Sequence, residues 1–208
     1  MRPIEAILFE PVGCLAEFAS EPFHEIASLV FGVPKKKPSR SASRAYWHLL
    51  NLMEASGGTS IEPVELEAVE SASVYEDVAP ALAELKTRGR RLAITTSLSG
   101  AAVERFLEKN CLRAFFDEVW HRDNSGGIKS APLRRAVREP ESAIFLADTL
   151  EALYTARAAG AEPVLMMNDP DEARRLTAHG PAGGIVSLHE LPDFLRLLVS
   201  RERHILIR

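Results

Sequence analysis

The sequence predicts an α/β fold: a parallel sheet sandwiched by helices, with a small all-helical segment inserted after the first strand. Three observations carry this. From Val74 onward, short apolar runs alternate with amphipathic helical stretches. One further apolar run, Ala6-Ile7-Leu8-Phe9, stands by itself near the N-terminus. Between them, residues 16 to 74 keep a helical period and hold no convincing strand. Strands that alternate with helices pair in parallel, and burial on both faces makes them continuously apolar.

Taken in order, "AILF" is the first strand, and Pro11 and Gly13 break it after Glu10. "FHEIASLVFG" has apolar residues at helical spacing and stops at Gly32. "PKKKPSRSAS" is a polar break, and "RAYWHLLNLMEAS" resumes the helical period up to Gly57-Gly58. "IEPVELEAVESA" supplies one more short helix. "DVAPALAELKTRG" then reads as a helix with Asp77 as N-cap, Pro80 in the first turn and Gly89 as the stop. "RLAITTS" is a buried strand, "SGAAVERFLEKN" an amphipathic helix, and "FFDEVWH" holds a short strand. "AIFLAD" and "PVLMM" are strands flanking the Ala-rich helix "EALYTARAAG", and "GIVS" and "LPDFLRLLVS" close the alternation. The expected division is an α/β core of residues 1–15 and 75–208 around a helical unit of residues 16–74.

In parallel sheets, ligands bind at the C-terminal ends of the strands. Those ends deliver Glu10, then Thr96 and Ser97, then Lys129 in the Gly-rich loop "SGGIKSAP", then Asp148. Carboxylates and hydroxyls suit a hard oxygen-binding cation such as Mg²⁺. Hydroxyls, loop amides and a lysine suit a phosphate. Each residue alone has a plain structural reading, as a helix cap or a solvated lysine. Their convergence at the strand ends of one sheet favours a site.

The order and spacing resemble the haloacid dehalogenase superfamily, in particular its phosphoglycolate-phosphatase-like and phosphoglucomutase-like members. "AILFEPVGCL" is similar to the family's strand followed by Asp-x-Asp-Gly-Thr-Leu. "VYEDVAPALAELKTRGRRLAITTS" is similar to its second segment, "FFDEVWHRDNSGGIKSAP" to the stretch leading to the lysine loop, and "SAIFLADTLEALYTARAAGAEPVLM" to the metal-acid strand. The resemblance implies a Rossmannoid core with a helical cap after the first strand. It also implies a nucleophile position at Glu10, phosphate contacts at Thr96, Ser97 and Lys129, and Mg²⁺ between Glu10 and Asp148.

The sequence departs from that pattern where the chemistry lies. The nucleophilic Asp is Glu10, the general acid two residues on is Val12, and the motif Thr is Cys14. The second metal acid falls on Ala152, with Glu151 one residue early, and Ser130 replaces the Pro after the lysine. A carboxylate misplaced by about 1 Å costs on the order of 100-fold. Loss of a positioned acid–base costs ~10²–10⁴. Together they predict a loss of roughly 10⁴–10⁶, with the usual non-additivity of groups that act as a unit. Glu10 reads either as a weak metal ligand or as a strand-end acid that caps local amides and faces Lys129. Cys14 is a nucleophile only in principle, because it lacks an anion cradle.

Two functional readings follow. One is a family member that no longer transfers phosphoryl groups and binds a phosphate, another anion or a protein partner. The other is an atypical Mg²⁺-dependent phosphatase acting on a small phosphorylated metabolite through Glu10. A formal charge of −4 argues against nucleic acid. The basic clusters Lys35-Lys36-Lys37 and Arg201 to Arg208 read as a solvated loop and tail. Cys14 and Cys111 match no metal or disulfide spacing, and no apolar run suits a membrane span or a signal peptide. The expectation is a soluble cytoplasmic protein. The six histidines form no i, i+4 pair and read as surface or packing residues. Trp47 and Trp120 read as core.

Overall fold

A computed structural model describes residues 4–32, 42–56, 61–168 and 170–205. The polar break with Lys35-Lys36-Lys37, the Gly57-Gly58 stop and the last three tail residues lie outside the described residues.

Strand β1 (Ala6–Phe9) is completely buried, as its unbroken apolar run requires. It occupies the middle of a six-stranded sheet with β4 (Arg91–Thr95), β5 (Glu118–Trp120), β6 (Ala143–Ala147), β7 (Glu162–Met166) and β8 (Gly183–Ile185), in the order β5-β4-β1-β6-β7-β8. Every pairing is parallel, and Ala6 lies opposite both Arg91 of β4 and Ala143 of β6. The chain leaves β1 for β4 on one side and reaches β6 on the other. That reversal opens a crevice at the end of β1, the usual place for a ligand in this architecture.

Between Glu10 and the rest of the core runs a segment of three helices: α1 (Glu21–Phe31), α2 (Ala42–Ser56) and α3 (Glu62–Ser71). Gly32 ends α1 in the left-handed conformation, φ 64°, as its sequence position predicts. One expectation is corrected here. The segment is entered and left through two short antiparallel strands, β2 (Ala16–Glu17) and β3 (Ser73–Val74). Two residues per strand are too few to register a period of two, so no sequence pattern reveals them.

The core helices follow the predicted alternation: α4 (Val78–Thr87), α5 (Gly100–Lys109), α6 (Arg122–Ser125), α7 (Ser130–Ala136), α8 (Leu150–Ala158), α9 (Pro170–Thr177) and α10 (Leu191–Ile205). Asp77 precedes α4, but its side chain does not cap it. Its Oδ2 accepts instead from Ser187 Oγ and Leu188 N, both at 2.7 Å, tying α4 to the turn after β8. Thr149, not Asp148, caps α8, accepting from Ala152 N at 3.2 Å. That frees the Asp148 carboxylate for the crevice. Trp47 is buried as expected, whereas Trp120 is only half-buried and donates Nε1–H to Glu118 at 2.9 Å. No helix among the described residues is long and apolar enough to cross a membrane.

Candidate active site

The chain turns sharply after Glu10. Val12 is extended, and Gly13 takes φ +84°, a region other residues enter only with strain. Space forbids a side chain there as well: a Cβ on Gly13 would lie 1.9 Å from Ser43 Oγ and 2.2 Å from Asp148 Oδ2. Gly13→Ala should therefore lower stability by about 2–3 kcal/mol, from strain and collision together. Urea unfolding with an unchanged m-value would measure it.

The turn aims Glu10 into the crevice, where it is 4% exposed and accepts a hydrogen bond from Thr96 Oγ1 at 2.6 Å. Thr96 Oγ1 in turn accepts from Leu98 N at 3.2 Å, so the single hydroxyl proton is already committed to Glu10. Burial pushes the Glu10 carboxyl up to about 8, and the nearby Asp148 charge adds to this. Thr96 and the N–H groups of Val12 and Ser97 oppose the shift without cancelling it. Burial thus favours the protonated form of Glu10 near neutral pH.

Asp148 shares the crevice at 8% exposure. Burial raises it to about 6, against the opposing influence of Ser43, Asn168 and Arg44. The Ser43 hydroxyl is directed at Val12 O (3.4 Å) and Asn168 Nδ2 at Gly13 O (2.7 Å). Asp148 Oδ2 is left buried with no hydrogen bond.

The phosphate-contact candidates are arranged differently from the expectation. Ser97 Oγ accepts the backbone N–H of Lys129 at 2.7 Å and so holds the lysine loop in place. Lys129 itself has φ +56°, an uncommon conformation for a side-chain-bearing residue. Its ammonium does not face Glu10: it donates to Asn51 Oδ1 (2.7 Å) and Glu54 Oε2 (2.5 Å) on α2. Glu10, Thr96 and Asp148 are thus brought together, while the Lys129 ammonium is turned away from them.

Cys14 is fully buried, donates Sγ–H to Leu146 O at 3.3 Å, and has its acidity suppressed by burial and by the neighbouring carboxylates. It has no thiolate with which to attack. Ala152 is buried and offers no carboxylate, and Glu151 is exposed on the outer side of α8.

Two features have no sequence signal. Tyr46 of α2 is completely buried, its hydroxyl lies near the Thr96 side chain, and it feels the charges of Glu10, Glu65 and Arg122. It stands among the apolar residues of α2 and reads from the sequence as packing. Glu65 of α3, also completely buried, accepts from Arg122 Nη1, and its Oε2 accepts from Ser99 N at 3.2 Å. Arg122 donates as well to Ser97 O at 3.1 Å. The pair is 57 residues apart, beyond any local pattern.

The family model of haloacid dehalogenase-like hydrolase matches residues 33–166. The chain belongs to the haloacid dehalogenase-like hydrolase family. Within this family member the matched span contains Thr96, Ser97, Lys129 and Asp148 and begins after Glu10, Val12 and Cys14. Solved structures share the fold. A haloacid dehalogenase-like hydrolase from Streptococcus pneumoniae is 20% identical with a TM-score of 0.65, over 93% of this chain and 99% of that one. A provisionally assigned phosphoglycolate phosphatase from Lactobacillus plantarum is 18% identical with a TM-score of 0.69, over 93% and 100%. A provisionally assigned haloacid dehalogenase hydrolase from Bacillus subtilis, solved with magnesium bound, is 15% identical with a TM-score of 0.62, over 93% and 99%. No curated protein matches the chain.

Mg²⁺ demands a near-octahedral set of oxygen ligands, usually anchored on ionised carboxylates. Asp148 Oδ2 is a ready acceptor. Glu10, however, is hydrogen-bonded to Thr96 in a setting whose burial favours its protonated form, and position 152 carries no donor. Among the described residues no group of three His, Cys, Asp or Glu converges to hold a metal. The side chains present do not fit a resident Mg²⁺.

Proposed function

We propose that this member of the haloacid dehalogenase-like hydrolase family does not carry out phosphoryl transfer and acts as a non-catalytic binding protein. The observation that carries this reading is the setting of Glu10 at the nucleophile position: buried, held by Thr96 and driven by burial toward its neutral form. A neutral carboxyl is not a nucleophile, and Val12 can neither give nor take a proton. Anion binding at Thr96, Ser97 and Lys129 is weakly supported, since all three already serve internal partners. A phosphate there would have to displace Glu54 from Lys129.

The test is Mg²⁺-dependent hydrolysis of an aryl phosphate. The native chain and Glu10→Ala are expected to match the buffer background at pH 7, and turnover appearing in the double variant Glu10→Asp, Val12→Asp would identify the two lost groups. Native turnover abolished by Glu10→Ala overturns the reading. The second reading, a phosphatase working through Glu10, draws on the unpartnered Asp148 Oδ2 as a cation acceptor. It requires ionised Glu10, so its signature is Mg²⁺-dependent activity that rises as pH passes about 8.

A further inference from the structure

Glu10, Thr96, Ser97 and Asp148 converge at the strand ends, yet all four are buried. A cavity of about 690 Å³ beside them reaches Asp148, but Glu10, Thr96 and Ser97 are absent from its described wall. A molecule bound at these strand ends therefore needs one wall of the crevice to move. Helix α2 is such a wall, and it meets the core at successive turns. Ser43 Oγ is directed at Val12 O, Tyr46 lies near Thr96, and Asn51 Oδ1 and Glu54 Oε2 accept from the Lys129 ammonium. Arg44, in the first turn of α2, acts on the charge of Asp148.

The three-helix segment is fastened unequally. On α3, Glu65 is completely buried against Arg122 and accepts from Ser99 N at 3.2 Å. Arg105 Nε donates to Glu70 Oε1 at 2.6 Å, and Lys109 Nζ donates to the carbonyls of Val69 and Glu70. The last turns of α2 meet the core through Lys129, and the Glu54 side chain of that pair is 64% exposed. Water and salt compete for an exposed pair, whereas a buried pair is poorly screened. Lys129 also makes the clasp from a strained backbone, φ +56° and ψ −107°, with its N–H held by Ser97 Oγ. Such strain persists only where the surroundings enforce it, and it concentrates at clamps and switch regions. The clasp thus joins the least protected contact of α2 to a loop that gains by letting go.

We propose that Lys129 is an ionic latch: it holds α2 shut over the crevice through Asn51 and Glu54, and its release lets α2 lift while α3 stays docked. The proposal rests on the crevice being the binding site, but its test reads motion rather than turnover, so it fails separately from the hydrolysis assay. Pulsed electron paramagnetic resonance of the full chain supplies the distances. Nitroxides are placed at the exposed positions Ala55→Cys on α2 and Arg135→Cys on α7, with Glu67→Cys on α3 and Arg135→Cys as the reference pair. Cys111→Ser removes the exposed native thiol, and buried Cys14 stays unlabelled. Glu54→Gln and Lys129→Met are each expected to raise the ratio of long to short α2–α7 distances by about three- to tenfold. About 1 M KCl should do the same to the native chain and add little in Glu54→Gln. The α3–α7 distance should stay single throughout. An α2–α7 distance that neither variant changes overturns the latch, whether or not Tm falls. Lengthening of both pairs together overturns it as well, because the whole segment then detaches.

Discussion

At pH 8, Glu10→Gln is expected to be more stable than the native chain by on the order of 3–5 kcal/mol, and at pH 4.5 to differ little from it. The sign follows from proton counting. Burial raises the native-state Glu10 carboxyl from 4.5 to about 8. Between those values the folded chain holds a proton that the unfolded chain has released, so stability falls as pH rises. The contribution is complete below about pH 4.5 and lost once pH passes about 8. Asp148, raised from 3.8 to about 6, acts in the same direction over a lower window. Asp117, lowered by Lys86 and the Leu92 N–H, and Glu118, lowered by the Trp120 N–H and by Arg91 and Arg138, oppose both, because their contribution disappears as pH falls. The native chain should therefore be most stable on the acid side of neutrality. Glutamine keeps the Thr96 hydrogen bond through its carbonyl oxygen and removes the titration. Melting curves from pH 4.5 to 8.5 should show a native Tm falling by about 10 °C and a much flatter profile for Glu10→Gln. A native Tm that climbs towards pH 8 would show Glu10 to be ionised in the fold, and would reopen its use as a nucleophile.

Arg122→Met should destabilise the chain by about 3–5 kcal/mol, because it leaves Glu65 buried without its counter-charge. Arg122 also holds Ser97 O, and Glu65 also holds Ser99 N, so the pair joins α3 to the loop after β4. Burial raises the Glu65 carboxyl even against the arginine, which marks how much desolvation the guanidinium offsets. The double change Glu65→Leu, Arg122→Met should recover most of the loss, since an apolar pair of similar volume often equals a buried ion pair. Guanidinium unfolding of the two singles and the double gives the coupling directly. Hydrogen exchange in Arg122→Met should quicken first in α3, ahead of the sheet. If the single variant loses less than about 1 kcal/mol, the pair is solvated and does not fasten the three-helix segment to the core.

The fold was legible because its signals are local. A run such as Ala6 to Phe9 announces a strand covered on both faces, and Gly32 and Gly89 announce helix ends through the conformations only glycine adopts freely. The loss at the chemical positions was legible for the same reason. Val12 and Ala152 carry no ionisable group in any environment. What the residues at the strand ends do for one another was not legible. Lys129 in a Gly-rich loop has the composition of a phosphate contact, yet Asn51 and Glu54 of α2, more than seventy positions earlier, take its ammonium. Asp77 has the position of a helix cap and serves the turn after β8 instead.

By itself, then, the sequence determined the sheet, the helices around it and the absence of a general acid at Val12. Periodicity, chain breakers and side-chain chemistry are properties of neighbouring residues. Tertiary structure alone decided that burial drives Glu10 toward its neutral form, that Tyr46 is buried within reach of its charge, that Glu65 pairs with Arg122, and that an acid-walled cavity opens next to Asp148. Those outcomes depend on desolvation and on through-space approach between segments far apart in the chain. The free energy of a buried carboxyl is set by what surrounds it, and for Glu10 and Asp148 the surroundings come from other segments, among them Thr96 and Ser43.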